Sequence, residues 1–336
     1  MKAVKQGILS AALALTSISA VAGPFYISQA ADFNAYIMED MQGAHSDVEG
    51  RLAVGGNLTL DNYGLGLQLN DQGSKPVFVG GGDAKMRDSR VYNGDAVAAG
   101  TIDIDETVGL YNDPDTHNTN AFYQDSSFDF ATTNAEVLYK SSLWGAYSAN
   151  AQVELGINDA NELWGINFSG TSDVNVFSID AQTLSSPNKK ITIDIPDTSY
   201  AIINVMGEAV ELFNTGFHLP DDQKFPDNDS NGEQQDRHTG LYNERVLFNF
   251  VDATSLVMNG IGFKGSILAP LADVTFSDGH IDGNLIVKSL RSAENQNTGQ
   301  INNYGFSGFT SVSEPATGLV LAFAAFLLTR RRKKTA

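Results

Sequence analysis

The 336-residue sequence contains no cysteine. That excludes a disulfide framework, a thiolate nucleophile and a zinc–thiolate centre together. Basic residues are scarce, with 21 Lys and Arg against 40 Asp and Glu. An acidic surface repels phosphate backbones and anionic headgroups, so the body of the chain is expected to bind neither nucleic acid nor a membrane surface. Phosphate-loop, G-x-S-x-G and H-E-x-x-H motifs are missing, and His45, His117, His218, His238 and His280 have neither metal spacing nor a triad context. Aromatic residues are not scarce. At 10% they are too many for a disordered acidic chain.

Both ends read as processing signals. Lys2 and Lys5 precede the apolar run Ile8 to Leu15, and Ala20-Val21-Ala22 fits an A-x-A cleavage site, which gives a signal peptide over 1–22. At the other end, Ser313-Glu314-Pro315 leads into the apolar run Ala316 to Leu328 and then Arg330-Arg331-Arg332-Lys333-Lys334. Thirteen helical residues span about 20 Å, so this short hydrophobic helix needs its flanks to cross a hydrocarbon core of about 30 Å. The basic cluster would stay cytoplasmic while the body is exported. Without these ends, Gly23 to Val312 carries 14 basic and 39 acidic residues, a net charge of −25.

Between the ends, one pattern recurs. Val48-Glu49-Gly50-Arg51-Leu52-Ala53-Val54-Gly55-Gly56-Asn57 is echoed by Tyr92-Asn93-Gly94-Asp95-Ala96-Val97-Ala98. Two further echoes are Phe263-Lys264-Gly265-Ser266-Ile267-Leu268-Ala269 and Ile281-Asp282-Gly283-Asn284-Leu285-Ile286-Val287. Period-two alternation bounded by glycine predicts a short strand leaving a tight corner, where Gly50, Gly94, Gly265 and Gly283 can take positive φ. Gly265 and Gly283 lie 18 residues apart and Gly50 and Gly94 lie 44 apart, spacings of one and about two coils of a β-solenoid. A set of unrelated β-hairpins is the alternative. Ala53, Val97, Leu268 and Ile286 should point away from the coil interior, yet they are apolar. Strands apolar on both faces are covered on both faces.

A change of period supplies the cover. Thr133-Asn134-Ala135-Glu136 reads as a capping box, and Ala131, Ala135, Leu138, Ser142, Ala146, Ala149 and Val153 fall at three- and four-residue steps. These predict one helix over about 132–154, lying along the side of the coils with a stripe of small residues. Strands resume at Val174 to Ile179, Ile191 to Pro196, Tyr200 to Gly207 and Arg245 to Phe250. Phe217 to Gly240 reads as a polar insertion, and Ser292 to Gly308 as an exit that need not be ordered. The expected fold is mainly β: a β-helix or solenoid-like single domain over 23–306, followed by a linker over 307–312.

These motifs resemble the choice-of-anchor A family of bacterial surface proteins, also described as adhesin or collagen-binding-like domains. The resemblance runs through Val176-Phe177, Asn204-Val205-Met206-Gly207, Leu247-Phe248-Asn249-Phe250 and Gly262 to Pro270, and covers about Phe33 to Phe306. It implies an extracellular, non-catalytic adhesin with a polysaccharide or protein ligand. The segment 313–336 resembles a PEP-CTERM sorting signal, with Ser313 where the first proline belongs and Glu314 and Pro315 intact. That implies processing by an exosortase in a Gram-negative bacterium, transient contact with the inner membrane, and a place at the cell surface or in the biofilm matrix.

Chemistry-bearing clusters are few. Asp227-Asn228-Asp229-Ser230-Asn231-Gly232 has calcium-loop spacing, so Asp227, Asp229, Asn231 and Glu233, or else Asp236, are candidate ligands for calcium, the cofactor the sequence allows. The twelfth position is His238 rather than a bidentate Glu, and a solvated turn is the commoner meaning of such a loop. Asp103, Asp105 and Glu106 could hold a cation or form an acidic strand edge. A lyase-like polysaccharide enzyme, the alternative function, would draw on Lys264 beside Asp273 or Arg245 beside Glu244. An ice-binding face would need a regular array from Thr59, Thr101, Thr192 and Thr275, and their spacing gives none.

Overall fold

The computed structural model describes residues 25–69, 75–113, 116–117, 121–218, 220 and 244–309. All of these belong to one compact unit, Gly23–Ser311. The signal segment, the calcium-spaced loop with His238, and the sorting segment at Ser313, Glu314 and Pro315 lie outside the described residues. The described residues form a 20-stranded sheet, a four-stranded sheet and two α-helices.

The repeated motif builds one parallel ladder in the larger sheet. Its order is Val174–Asp180, Tyr200–Met206, Val246–Phe250, Ser266–Asp282, Leu285–Arg291, Ala35–Ile37, Leu52–Val54, Phe78–Gly80, Ala96–Ala98 and Phe122–Gln124. Register is kept from strand to strand. Leu268, Ile286, Tyr36, Ala53, Val79 and Val97 therefore form one row, and Ile267, Leu285, Ala35, Leu52, Phe78 and Ala96 form the row beside it pointing the other way. Among the described residues the first strand, Ala35–Ile37, is wedged between Leu285–Arg291, 250 residues later, and Leu52–Val54.

Corner chemistry locks that register. Asp40 Oδ1 accepts from Asn57 N at 2.7 Å, Asn57 Oδ1 from Asp83 N at 3.0 Å, and Asp83 Oδ1 from Thr101 N at 2.6 Å. Each side chain thus satisfies a backbone donor one strand further along, at a corner where the ladder cannot. The glycines serve two purposes. Gly265 has φ +108 and uses glycine's conformational freedom. Gly50, Gly94 and Gly283 do not take positive φ; close approach selects them. A Cβ on Gly283 would stand 2.4 Å from Gly265 O.

The outward apolar row is covered. Tyr36, Ala53, Val79, Val97, Ile202, Leu247, Leu268 and Ile286 are buried in one cluster with Val137, Trp144, Phe25, Phe33, Phe306 and Phe309. The helix α1 spans Phe130–Gly145, shorter than the expected 132–154, and α2 is the five-residue Ala181–Ser185. The N-cap of α1 is Asp129, whose carboxylate accepts from Thr132 N, while Thr133 turns its hydroxyl onto Asp129 O. Aspartate serves well here, since a carboxylate also complements the positive helix start.

The buried face of α1 is also not the expected one. Ala131, Ala135, Leu138, Ser142 and Ala146 face solvent, and Thr133, Val137, Ser141 and Trp144 are buried. Polar contacts set this face. Ser141 Oγ donates to Asn249 Oδ1, Asn249 Nδ2 donates to Ser141 O, and Asn204 Nδ2 donates to Trp144 O. Tyr36 Oη adds a 2.7 Å bond to Asn134 Oδ1. The segment read as a loose exit also docks here, with Phe306 and Phe309 buried and Gln300–Asn302 paired in the sheet.

Helix α1 carries the chain back along the ladder. Ten strands at about 4.8 Å make a ladder of about 43 Å, and sixteen helical residues reach about 24 Å. Phe130 lies over Gly55 and Gly81 near the Phe122–Gln124 end, and Trp144 over Asn204 near the Val174–Asp180 end. Asn150 then caps the terminal strand, its Oδ1 accepting from Val176 N and its Nδ2 donating to Val174 O. The edge is closed by a side chain.

Candidate binding surface

Past that cap the chain makes a hairpin absent from the sequence reading. Gln152–Ile157 runs antiparallel to Leu163–Ser169, which continues in parallel to Lys189–Asp194 and Thr215–His218. Asn158 ties the turn, its Oδ1 accepting from Ala160 N and Glu162 N, and Asn161 takes the left-handed conformation at φ +61. Ile166, Phe168, Ile191, Ile193 and Phe217 face the core.

The outward positions make three in-register rows two residues apart. Gln152, Ser169 and Asp194 form the first, and Glu154, Asn167, Thr192 and His218 the second. Gly156, Gly165, Lys190 and Gly216 form the third. Pairing passes directly from Gly156–Gly165 to Ile157–Leu163, so Trp164 bulges out of register. Its indole lies against Gly156, where a Cβ would come within 2.9 Å, and Lys190 Nζ stands 4.6 Å from the ring centroid. Trp164 remains 46% exposed, beside Leu155 and Ile157 at 48% and 50%. A depression of about 180 Å³ joins Trp164, Lys190, Asn167 and Thr192, and a cleft of about 510 Å³ opens at the Gln152–Ser169–Asp194 end. Asn167 Oδ1, in the depression, is a shielded acceptor with no hydrogen-bond donor among the described residues.

The other candidates meet different fates. Arg87 fills the position a cation would take between Asp103 and Asp105, at 2.7 and 3.1 Å, and hydrogen bonds from Thr107 hold the Asp105 carboxyl below the usual carboxylate range. Lys264 pairs with Asp282, not Asp273. Asp273 instead accepts from Ser289 Oγ at 2.7 Å and from Lys288 at 3.1 Å, and these bonds depress its pKa. Arg245 stacks on Tyr200 and donates to Thr198 O. Among the described residues, no group of three or more His, Asp or Glu could hold a metal ion.

A family model described as "Putative Ice-binding-like adhesive domain" matches residues 26–303. This chain belongs to that family. The solved structure of an ice binding protein from an Antarctic Biological Consortium aligns with 91% of this adhesive-domain chain and 96% of its own, at 9% identity and a TM-score of 0.34. Comparison with curated proteins gives no match. The family's description is of an ice-binding-like adhesive domain, not of a known enzyme family.

Membership sharpens the threonine question. Thr275 and Thr59 do share an outward row, but Thr275 pairs with Arg291, and Met41 opposite Leu290 sets Gln42 beside that arginine before Thr59 is reached. Lys85 and Asp103 continue the row. Thr192 belongs to the four-stranded sheet. In this adhesive domain the threonines make no array.

Proposed function

We propose that this protein is an exported, non-catalytic adhesin built as a β-solenoid, binding neutral polysaccharide through the outer face of its four-stranded sheet. The observation that carries the reading is the exposed Trp164 set over a row of glycines with Lys190 and beside two in-register rows of Gln, Ser and Asp and of Glu, Asn, Thr and His. Polyhydroxylated chains need this combination: an indole offers an apolar face to a sugar ring, and amide, hydroxyl and carboxylate groups take its hydroxyls. The body charge of −25 opposes anionic polymers and leaves neutral glycans as the favoured class.

Ring stacking contributes about 0.5–1.5 kcal/mol beyond area burial, so Trp164→Ala should weaken retention on an immobilised neutral glucan by at least about twofold to twelvefold. Tyr139→Ala, on the solvent side of α1, should bind as the parent does. Equal binding by the Trp164→Ala protein would sink the glycan face. The resemblance to choice-of-anchor A proteins and to a PEP-CTERM signal supports export, cell-surface location and exosortase processing near Ser313-Glu314-Pro315. Surface-extracted protein should then lack both 1–22 and Ala316 to Ala336 by terminal sequencing. Retention of the tail would remove exosortase from the account.

A further inference from the structure

Lys264 and Asp282 occupy equivalent positions on neighbouring parallel strands, paired in register immediately before Gly265 and Gly283. Lys264 is 3% exposed and Asp282 is fully buried, and Lys264 Nζ stands 2.5 Å from Asp282 Oδ2. His280 reaches both, its Nε2 lying 3.4 Å from the lysine nitrogen and 3.8 Å from the same carboxylate oxygen. On the far side of the carboxyl, Asn302 Nδ2 donates to Asp282 Oδ1 at 2.6 Å. An amine, a carboxyl group and an imidazole thus converge at the junction of three strands.

We propose that Lys264 and Asp282 condense after folding into an intramolecular isopeptide bond that staples the two strands. The condensation runs from the neutral pair, an amine facing a carboxylic acid within the buried contact. The neutral Nζ lone pair then attacks Asp282 Cγ. A C–N bond forms, the nitrogen loses a proton to His280 Nε2, and His280 returns it to the departing hydroxyl as the C–O bond breaks. One water leaves, charge is balanced, and no oxidant or other reactant is required. In-register pairing of the strands holds the reacting groups in contact and so supplies the effective concentration for the step. Burial disfavours the reverse hydrolysis by excluding water. The link would join residues 18 apart in sequence across adjacent strands, a join suited to a domain loaded mechanically at a surface. It does not depend on the glycan face.

Peptide mapping of the purified full chain tests the bond. Trypsin cuts after Arg245, Lys264 and Lys288 but not at an acylated lysine. The expected product is a single peptide, Val246 to Lys288, lighter than its sequence by one water, with fragmentation placing the loss across Lys264 and Asp282. In Lys264→Arg, which keeps the cation but is not expected to condense, the same region should appear as two peptides of unshifted mass. Recovery of Val246–Lys264 and Gly265–Lys288 at sequence mass from the parent protein overturns the proposal. So does loss of one ammonia with Lys264 joined to Asn302, which would make the amide the acceptor.

Discussion

Lys189 is buried, donating to Ser186 O and to Thr215 Oγ1 at 2.9 Å, and neither partner is a carboxylate. Burial therefore pushes its pKa down to about 8. In an unfolded chain the ammonium releases its proton near 10.4. Between about 8 and 10.4 the unfolded chain holds a proton that the folded chain has lost, so stability rises with pH across that window. The full window corresponds to roughly 3 kcal/mol at 1.36 kcal/mol per pKa unit. Burial raises the phenols of Tyr36 and Tyr63, and their contribution has the opposite sign, falling above about pH 10. The melting temperature should climb between pH 8 and 10, and the climb should vanish in Lys189→Met. A flat profile in the parent protein would show that this ammonium is solvated.

At the level of elements, Trp144 is the residue through which α1 holds its place. Its ring meets Phe25 edge-on at 5.5 Å and stacks on Phe309 at 6.2 Å, and its carbonyl accepts from Asn204. Truncation to alanine opens a cavity beneath the helix and should cost about 3–5 kcal/mol in chemical denaturation. Tyr139→Ala on the exposed side should stay within about 0.5 kcal/mol. A small effect at Trp144 would mean that the helix is not what covers the outward row. The sequence made that row legible because Ala53, Val97, Leu268 and Ile286 are apolar where a one-sided strand would be polar. It hid the helix face because the docking positions Thr133 and Ser141 are polar, and an apolar-periodicity reading passes over them. The hairpin carrying Trp164 was obscured for another reason: Gly156, Gly165 and the bulge interrupt the alternation. The Lys264–Asp282 pair was visible in principle. Both residues stand immediately before the glycine of the repeat, at a position that varies among Glu49, Asn93, Lys264 and Asp282, so stacking the repeats sets the two charges side by side.

Across the whole molecule, local pattern and long-range closure divide the work. The strand Ala35–Ile37 is completed by Leu285–Val287, so the ladder closes only when both halves of the chain are present, a demanding requirement for folding rate. The same body carries a net charge of −25, and this repulsion opposes compaction. Salt at about 0.15 M shortens the Debye length to about 8 Å and screens most of it. The melting temperature should therefore rise from low salt to that ionic strength, and level off as the remaining pairs, such as Arg87 with Asp103, are screened in turn. Neutral-glycan retention at the Trp164 face should stay nearly constant over the same range, because stacking and hydrogen bonds to uncharged hydroxyls release no counterions. Melting and retention measured on one salt series separate the two effects. Retention that falls steeply as salt is added would point to a charged ligand held by Lys190, against the neutral class that the acidic body favours.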